Sequence, residues 1–143
     1  MSHFSIVQVP PDNLSQFWPA IGPLLVAGAF SDGDADFDAE LESIAEGVSN
    51  VWMIVEADKV LAAFITRAVD DSDGKRTLHA YGLGGTGQLR WGKFLTDALV
   101  YYGKAAKCAR IACKGRKALK RTYPGFRIVA QESANRFIYE RAL

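Results

Sequence analysis

The sequence is poor in cysteine, histidine and long apolar runs, and each shortage removes a class of function. Its two cysteines, Cys108 and Cys113, are too few for a disulfide framework. Both stand in apolar context and read as reduced, buried thiols. The two histidines, His3 and His79, lie far apart with no cysteine or carboxylate partner at ligand spacing, so no metal site is expected. No apolar run approaches the roughly 18 residues needed to cross a bilayer. The N-terminal stretch has no basic segment followed by an apolar one, so it does not read as a secretion signal and a cytoplasmic protein is expected. A G-x-S-x-G nucleophile elbow is absent. Asp32, Asp34 and Asp36 begin like a calcium loop, but Phe37 stands where glycine is needed and Ser43 where glutamate is needed. Repeats, low-complexity segments and linkers are missing too.

What is present is an ordinary globular composition. With 143 residues, 49% of them apolar and 23% charged, the chain is expected to fold as a single domain over residues 1–143 with a normal core. The net charge of +1 conceals an asymmetry. Residues 1–74 hold 13 acidic side chains and two basic ones, Lys59 and Arg67, while residues 75–143 hold 15 basic and three acidic. No carboxylate falls between Asp97 and Glu132, where nine lysines and arginines do. Such a basic end should attract an anion, unless its charges are answered by the acidic half.

The patterning predicts the elements. Phe4–Val9 alternates as a strand and stops at Pro10-Pro11. Asp12 then caps a helix carrying Leu14, Phe17, Trp18, Ile21, Leu24 and Leu25, with a kink or split expected at Pro19, Gly22 and Pro23. An acidic loop at Ser31–Asp36 precedes a second helix with Phe37, Leu41, Ile44, Ala45 and Val48 on one face. Val51–Val55 and Val60–Val69 form a hairpin through Ala57-Asp58-Lys59, and Arg76–Leu83 a further antiparallel strand. Residues Gln88–Ala106 give the best helix, with Trp91, Phe94, Leu95, Ala98, Tyr101, Tyr102 and Ala105 on its apolar face and Arg90, Lys93, Asp97 and Lys104 opposite. Ala109–Cys113 is a strand, Arg116–Thr122 a basic helical turn, Phe126–Ala130 a strand and Phe137–Leu143 a final one. The crossover helix makes its two flanking strands parallel neighbours.

This order, β-α-α-β-β-β-α-β-α-β-β, with Gly82–Gly92 feeding the long helix and Pro124-Gly125-Phe126 closing the next, resembles the GNAT (Gcn5-related N-acetyltransferase) superfamily. Within it, the layout is similar to short, divergent GNAT-like proteins of phage and prophage genomes. The resemblance implies an α/β (α+β) fold with a mixed central sheet and helices on both faces. It also implies acetyl-CoA or another acyl-CoA as cofactor, entering where the strand before the long helix splays from the next strand. The pyrophosphate would be held by backbone N–H groups of a Q/R-x-x-G-x-G/A loop and the helix N-terminus. Counting back from Lys107-Cys108-Ala109-Arg110-Ile111 puts the last motif glycine at Gly92. Gly87 then stands where glutamine or arginine is expected, and Arg90 where glycine is expected. An alternative cradle is Gly84-Gly85-Thr86-Gly87. Gly84, Gly85, Gly87, Gln88, Arg90, Trp91, Gly92 and Arg116 are therefore the candidate cofactor residues. Against this stands the plain alternative of a tight strand-to-helix turn, with Gly92 and Gly103 marking close helix packing.

Acyl transfer to an amine needs a base and an acid. The strand before the long helix, where the family carries its base, offers His79 and Tyr81; His79 suits the role because an unperturbed imidazole titrates near neutrality. The family's acid, a tyrosine five residues before the phenylalanine of a Y-x-x-x-G-F pattern, has Arg121 in its place here, with Tyr123 two residues later. His79 and Tyr123 are the catalytic candidates. Each also has a structural alternative, His79 as an exposed strand residue and Tyr123 as part of a Tyr-Pro-Gly turn. Three functions follow in order. The first is an acyl-CoA-dependent N-acyltransferase acting on a small-molecule or protein amine, with the acidic loop favouring a cationic one. The second is an inactive GNAT-like module binding an anionic partner. The third, nucleic-acid binding through Lys114–Arg127, is disfavoured by the acidic half. A homo-oligomer is compatible with each.

Overall fold

The β-branched and aromatic runs all become strands. The computed structural model describes residues 3–30, 37–115, 125–134 and 136–143. Within them lie β1 (Phe4–Val9), β2 (Asn50–Glu56), β3 (Lys59–Asp70), β4 (Arg76–Gly85), β5 (Arg110–Gly115), β6 (Arg127–Ser133) and β7 (Arg136–Ala142). Three helices accompany them: α1 (Leu14–Phe30), α2 (Phe37–Ala45) and α3 (Gln88–Ala105). The acidic loop Ser31–Asp36 and the basic helical turn Arg116–Thr122 lie outside the described residues. The strands form one mixed sheet in the order β1-β2-β3-β4-β5-β7-β6. β4 and β5 pair in parallel, as a helical crossover requires, while β1–β2, β2–β3, β5–β7 and β6–β7 are antiparallel.

By its contacts the chain forms two compact units, Met1–Arg67 with Tyr81–Thr86, and Ala68–Ala80 with Gly87–Leu143. In the first, Val9, Ile21, Leu25, Ile44, Val51, Met53, Ala63 and Ile65 make one buried cluster. Residues 51, 53, 63 and 65 contribute from one face of the β2–β3 hairpin, as a period of two demands. On its other face Trp52 stands opposite Phe64, their rings stacked at 6.4 Å, and the Trp52 indole N–H donates to the Thr66 hydroxyl at 2.8 Å. The hairpin turns through Ala57 and Asp58, both at positive φ (49° and 64°), the twist that a two-residue connection needs.

Three helical expectations are corrected. α1 is not split: it runs unbroken from Leu14 through Pro19 and Pro23. Both prolines are exposed, so the carbonyls that lose a donor to them can be hydrated, while buried Ile21 and Leu25 hold the opposite side. Asp12, expected as its cap, instead lies in a 3-10 turn, Pro11–Asn13, that leads into the helix. α2 ends three residues short of Val48. Gly47 takes a left-handed φ of 77°, its N–H donates to the Ile44 carbonyl, and the Val48 N–H donates to the Ser43 carbonyl. This Schellman closure turns Val48 out to solvent.

α1 also lies backbone to backbone on β4. A Cβ at Gly28 would come within 2.5 Å of the Gly82 and Leu83 carbonyl oxygens, and one at Gly84 would overlap the Leu24 carbonyl. Gly84 of β4 is thus required by packing.

In the second unit Trp91, Leu95, Thr96 and Leu99 are buried along α3. The apolar stripe is therefore rotated from the expected one: Leu99 is inside and Tyr101 is 71% exposed, edge-on to Tyr102. Arg90, Lys93, Asp97 and Lys104 are exposed, as expected. Gly103 brings α3 close to the sheet, since a Cβ there would sit 2.6 Å from Leu143 Cδ1 and 3.5 Å from Ile111 Cγ1. α3 then ends in the same closure as α2, with Lys107 at φ 61° in the left-handed position.

The seat of α1 on β4 has a measurable cost. Gly84→Ala is expected to lower unfolding free energy by about 3 kcal/mol, the upper range for overpacking. Gly74→Ala, at a left-handed turn with open space around it, should cost only about 1 kcal/mol. Urea denaturation of both variants checks the order, and equal losses would contradict the seat.

Candidate functional site

The start of α3 has a glycine and no side-chain cap. Gly87 precedes it at φ 74° and ψ 32°, a conformation that glycine enters without strain. It brings no capping side chain, and no acidic residue lies in the first turn, so the positive end of the helix dipole is not answered there by a carboxylate. Among the described residues, a Cβ at Gly87 would meet only Arg90 Cδ and Trp91 Nε1, both at 3.8 Å. The Arg90 N–H donates to the Gly87 carbonyl at 2.9 Å, and its side chain is exposed. Trp91 is fully buried, and so is Gly92, whose carbonyl accepts the Thr96 hydroxyl at 3.0 Å. Gln88 opens the helix. Gly87 and Arg90 are exposed.

Gly84 and Gly85 answer to other parts of the chain. Gly84 lies under Leu24, and Gly85 is pressed against the Leu61 carbonyl and Ala62, while the Thr86 N–H donates to the Leu61 carbonyl at 3.1 Å. Packing accounts for both glycines.

Within the first unit, β4 carries a polar cluster that local sequence gives no means of finding. The Tyr81 hydroxyl donates to Glu40 Oε2 at 2.9 Å and lies 3.2 Å from the Ser49 hydroxyl. Glu40 comes from the first turn of α2, where the helix dipole favours a carboxylate. Ser49, 1% exposed, comes from the residue before β2. Burial pushes the Tyr81 hydroxyl up to about 12, with the Glu40 charge adding to the rise and the Ser49 hydrogen bond and Arg67 charge opposing it. Tyr81 consequently keeps its proton and acts as a donor, not as a base.

His79, the base candidate, sits in the second unit opposite Ala112 in the β4–β5 register. It is half-buried, and its charge is felt at Asp71. Asp71 accepts hydrogen bonds from the Thr77 hydroxyl and from Arg110 Nη2 (2.9 Å), while Arg110 Nε donates to Thr77 Oγ1 at 2.8 Å and Arg110 Nη2 reaches Asp73 at 3.0 Å. The Thr77 hydrogen bond, then Arg110, holds the Asp71 carboxyl below the usual range; the Lys75 backbone N–H and Arg110 do the same for Asp73. Burial raises both thiols, that of Cys113 to about 12.

Arg116 and Tyr123 lie outside the described residues. Among the described residues, no three histidine, cysteine or acidic side chains group as a metal site, and no helix is long and apolar enough to cross a membrane.

No protein-family model matches the sequence, and no curated protein matches it. Its fold is similar to solved acetyltransferase structures. An IAA acetyltransferase from Bacillus cereus superposes with a TM-score of 0.67 at 12% identity, over 99% of this chain and 100% of that one. A Bacillus subtilis acetyltransferase in complex with CoA gives 0.64 at 13% identity, over 100% and 99%. Arabidopsis thaliana Naa50 in complex with a CoA-containing bisubstrate analogue gives 0.62 at 15% identity, over 98% and 99%. The mixed seven-stranded sheet is that of the GNAT fold.

The Asp71–Arg110 network carries an acid signature. Both carboxyls have folded values below their unfolded ones, so their stabilisation is present above the ordinary carboxylate range and is lost as pH falls through the lowered values. The Tm difference between the wild type and Arg110→Ala should therefore be largest above about pH 5 and shrink below about pH 4. A difference independent of pH in thermal melts would rule the network out as its source.

Proposed function

We propose that the chain is an acyl-CoA-dependent N-acyltransferase. The observation that carries this reading is the strand–turn–helix unit of β4, Gly87 and α3, set in a fold similar to that of acetyltransferases. The register of β4 with β5 covers Thr77–Ala80 and Arg110–Cys113, after which β4 runs on through Tyr81–Gly85. It then enters a helix with a glycine start and no carboxylate in its first turn. These residues fit a pyrophosphate: backbone N–H groups at the start of α3, the dipole behind them and the exposed Arg90 beside them.

An acyl-CoA supplies the activated thioester carbonyl. The chain must bind it, orient an amine against it and move two protons. As the C–N bond forms and the C–S bond breaks, the amine gives up a proton and the departing thiolate takes one. His79 is the proposed base and Tyr123 the proposed acid, with Gly87, Gln88 and Arg90 holding phosphate and the Arg116 charge added to them. A small-molecule or protein amine is the proposed acceptor.

A second reading, a GNAT-like module that binds without transfer, is favoured by one pair of observations. Gly84 and Gly85 are taken up by packing, and Tyr81 is a proton donor.

Isothermal titration with acetyl-CoA separates the cases. Binding is expected, with Arg90→Glu weakening it about tenfold or more through loss of a charge-assisted contact. No heat at millimolar acetyl-CoA would end the acyltransferase reading and leave the module for another anionic partner, and binding without acetyl transfer to any amine in a broad panel would remove the transfer step. His79→Ala should abolish most of the transfer and leave acetyl-CoA affinity unchanged; full activity in that variant would remove His79 as the base.

A further inference from the structure

His79 has a charged network beside it on its own strand. Thr77 and His79 flank Leu78 on β4, so their side chains share one face of the sheet, about 7 Å apart along the strand. Arg110 stands opposite Thr77 on β5, and Ala112 opposite His79. The Thr77 hydroxyl donates to Asp71 Oδ2 and accepts from Arg110 Nε at 2.8 Å. Arg110 Nη2 donates to Asp71 at 2.9 Å and to Asp73 at 3.0 Å. The Asp71 carboxylate is thus tied to the side chain that neighbours His79 on the same face.

Among the described residues the charges of this network do not cancel. Two carboxylates, Asp71 and Asp73, share the one guanidinium of Arg110, which leaves an excess negative charge. The charges on the surrounding elements are placed elsewhere. Asp70 of β3 pairs with Arg76 of β4, and Lys114 of β5 pairs with Glu132 of β6. Lys75 of the turn is exposed, the charge of Arg67 of β3 reaches Tyr81, and Glu140 of β7 lies beyond Ala112. After the Thr77 and Arg110 hydrogen bonds, the charge of His79 also favours ionised Asp71. Such coupling is reciprocal, so the carboxylate favours the imidazolium by the same free energy.

We propose that Asp71, anchored by Thr77 and Arg110, is a positioning residue for His79 that holds a negative charge beside the imidazole as it accepts a proton from the amine. The catalytic meaning rests on the acyltransferase reading with His79 as base; the pairing of Asp71 with His79 does not. As the C–N bond forms, the amine N–H bond breaks and its proton passes to the imidazole nitrogen. The departing thiolate takes a proton from Tyr123, the proposed acid. Asp71 stabilises the imidazolium without taking the proton itself, because the Thr77 and Arg110 hydrogen bonds favour its ionised form.

The sequence has two histidines, so in a His3→Gln background the imidazole signals in an NMR pH titration of the full chain belong to His79. Asp71→Asn is expected to lower their midpoint by about half a pH unit or more, and Arg110→Gln to raise it. Opposed shifts are the mark of charge, whereas a merely loosened turn moves both variants the same way. In acetyl transfer, the acid limb of kcat/KM should follow these midpoints while acetyl-CoA affinity stays unchanged. A midpoint unmoved in Asp71→Asn, or shifts of one sign in both variants, overturns the inference. Opposed shifts together with full activity of His79→Ala remove His79 as the base and leave its pairing with Asp71 standing. Loss of transfer in His79→Ala with an unmoved midpoint removes Asp71 alone.

Discussion

The constraint on which the first unit depends is the absence of side chains where α1 crosses β4. Leu24 and Gly28 of the helix rest on Gly82, Leu83 and Gly84 of the strand with backbone against backbone. That seat fixes the height of α1 above the sheet, and so decides which of its residues reach the cluster around Val51, Met53 and Ile65. Tyr81 precedes the same glycines, and its ring packs against that cluster while its hydroxyl reaches Glu40 and Ser49. Core packing and the polar cluster thus share one strand. A side chain added at Gly84 would disturb both.

The second unit relies on the same device at Gly103, which lets α3 settle on Leu78 and Ile111. Here the consequence is electrostatic. The face of α3 opposite this packing carries Arg90, Lys93, Asp97 and Lys104 into solvent, and its first turn has no acid. Closer to the turn between β3 and β4, the positive charge of Arg110 is bound by Asp71 and Asp73, so part of the basic half is neutralised by the acidic half. The charge of Arg110 is answered by Asp71 and Asp73, while the first turn of α3 carries no acid of its own.

Much of the fold was legible. β-Branched runs located the strands, and the spacing around Trp91 located α3 to within a residue, because periodicity reports burial directly. The side of the stripe was less secure: Leu99 and Tyr101 are both apolar enough to fit, and only the packed sheet decides between them. Pro19 and Pro23 were read as a break because propensity ignores burial; on an exposed face the lost hydrogen bonds are tolerable. The site was legible only in part. Gly87 and Arg90 stand at the start of α3, but the packing of Gly84 depends on Leu24, far away in sequence. Glu40, Ser49 and Tyr81 meet across 32 and 41 residues, and no local pattern encodes such a meeting.

The hairpin turn at Ala57 and Asp58 has a wider meaning. Two residues with side chains hold left-handed conformations there, at roughly 1 kcal/mol or more each, in a place where glycine or asparagine would do so more easily. Natural selection has left that energy unclaimed. Relief of that strain is a source of stability against which destabilising changes elsewhere can be set during the evolution of a new specificity.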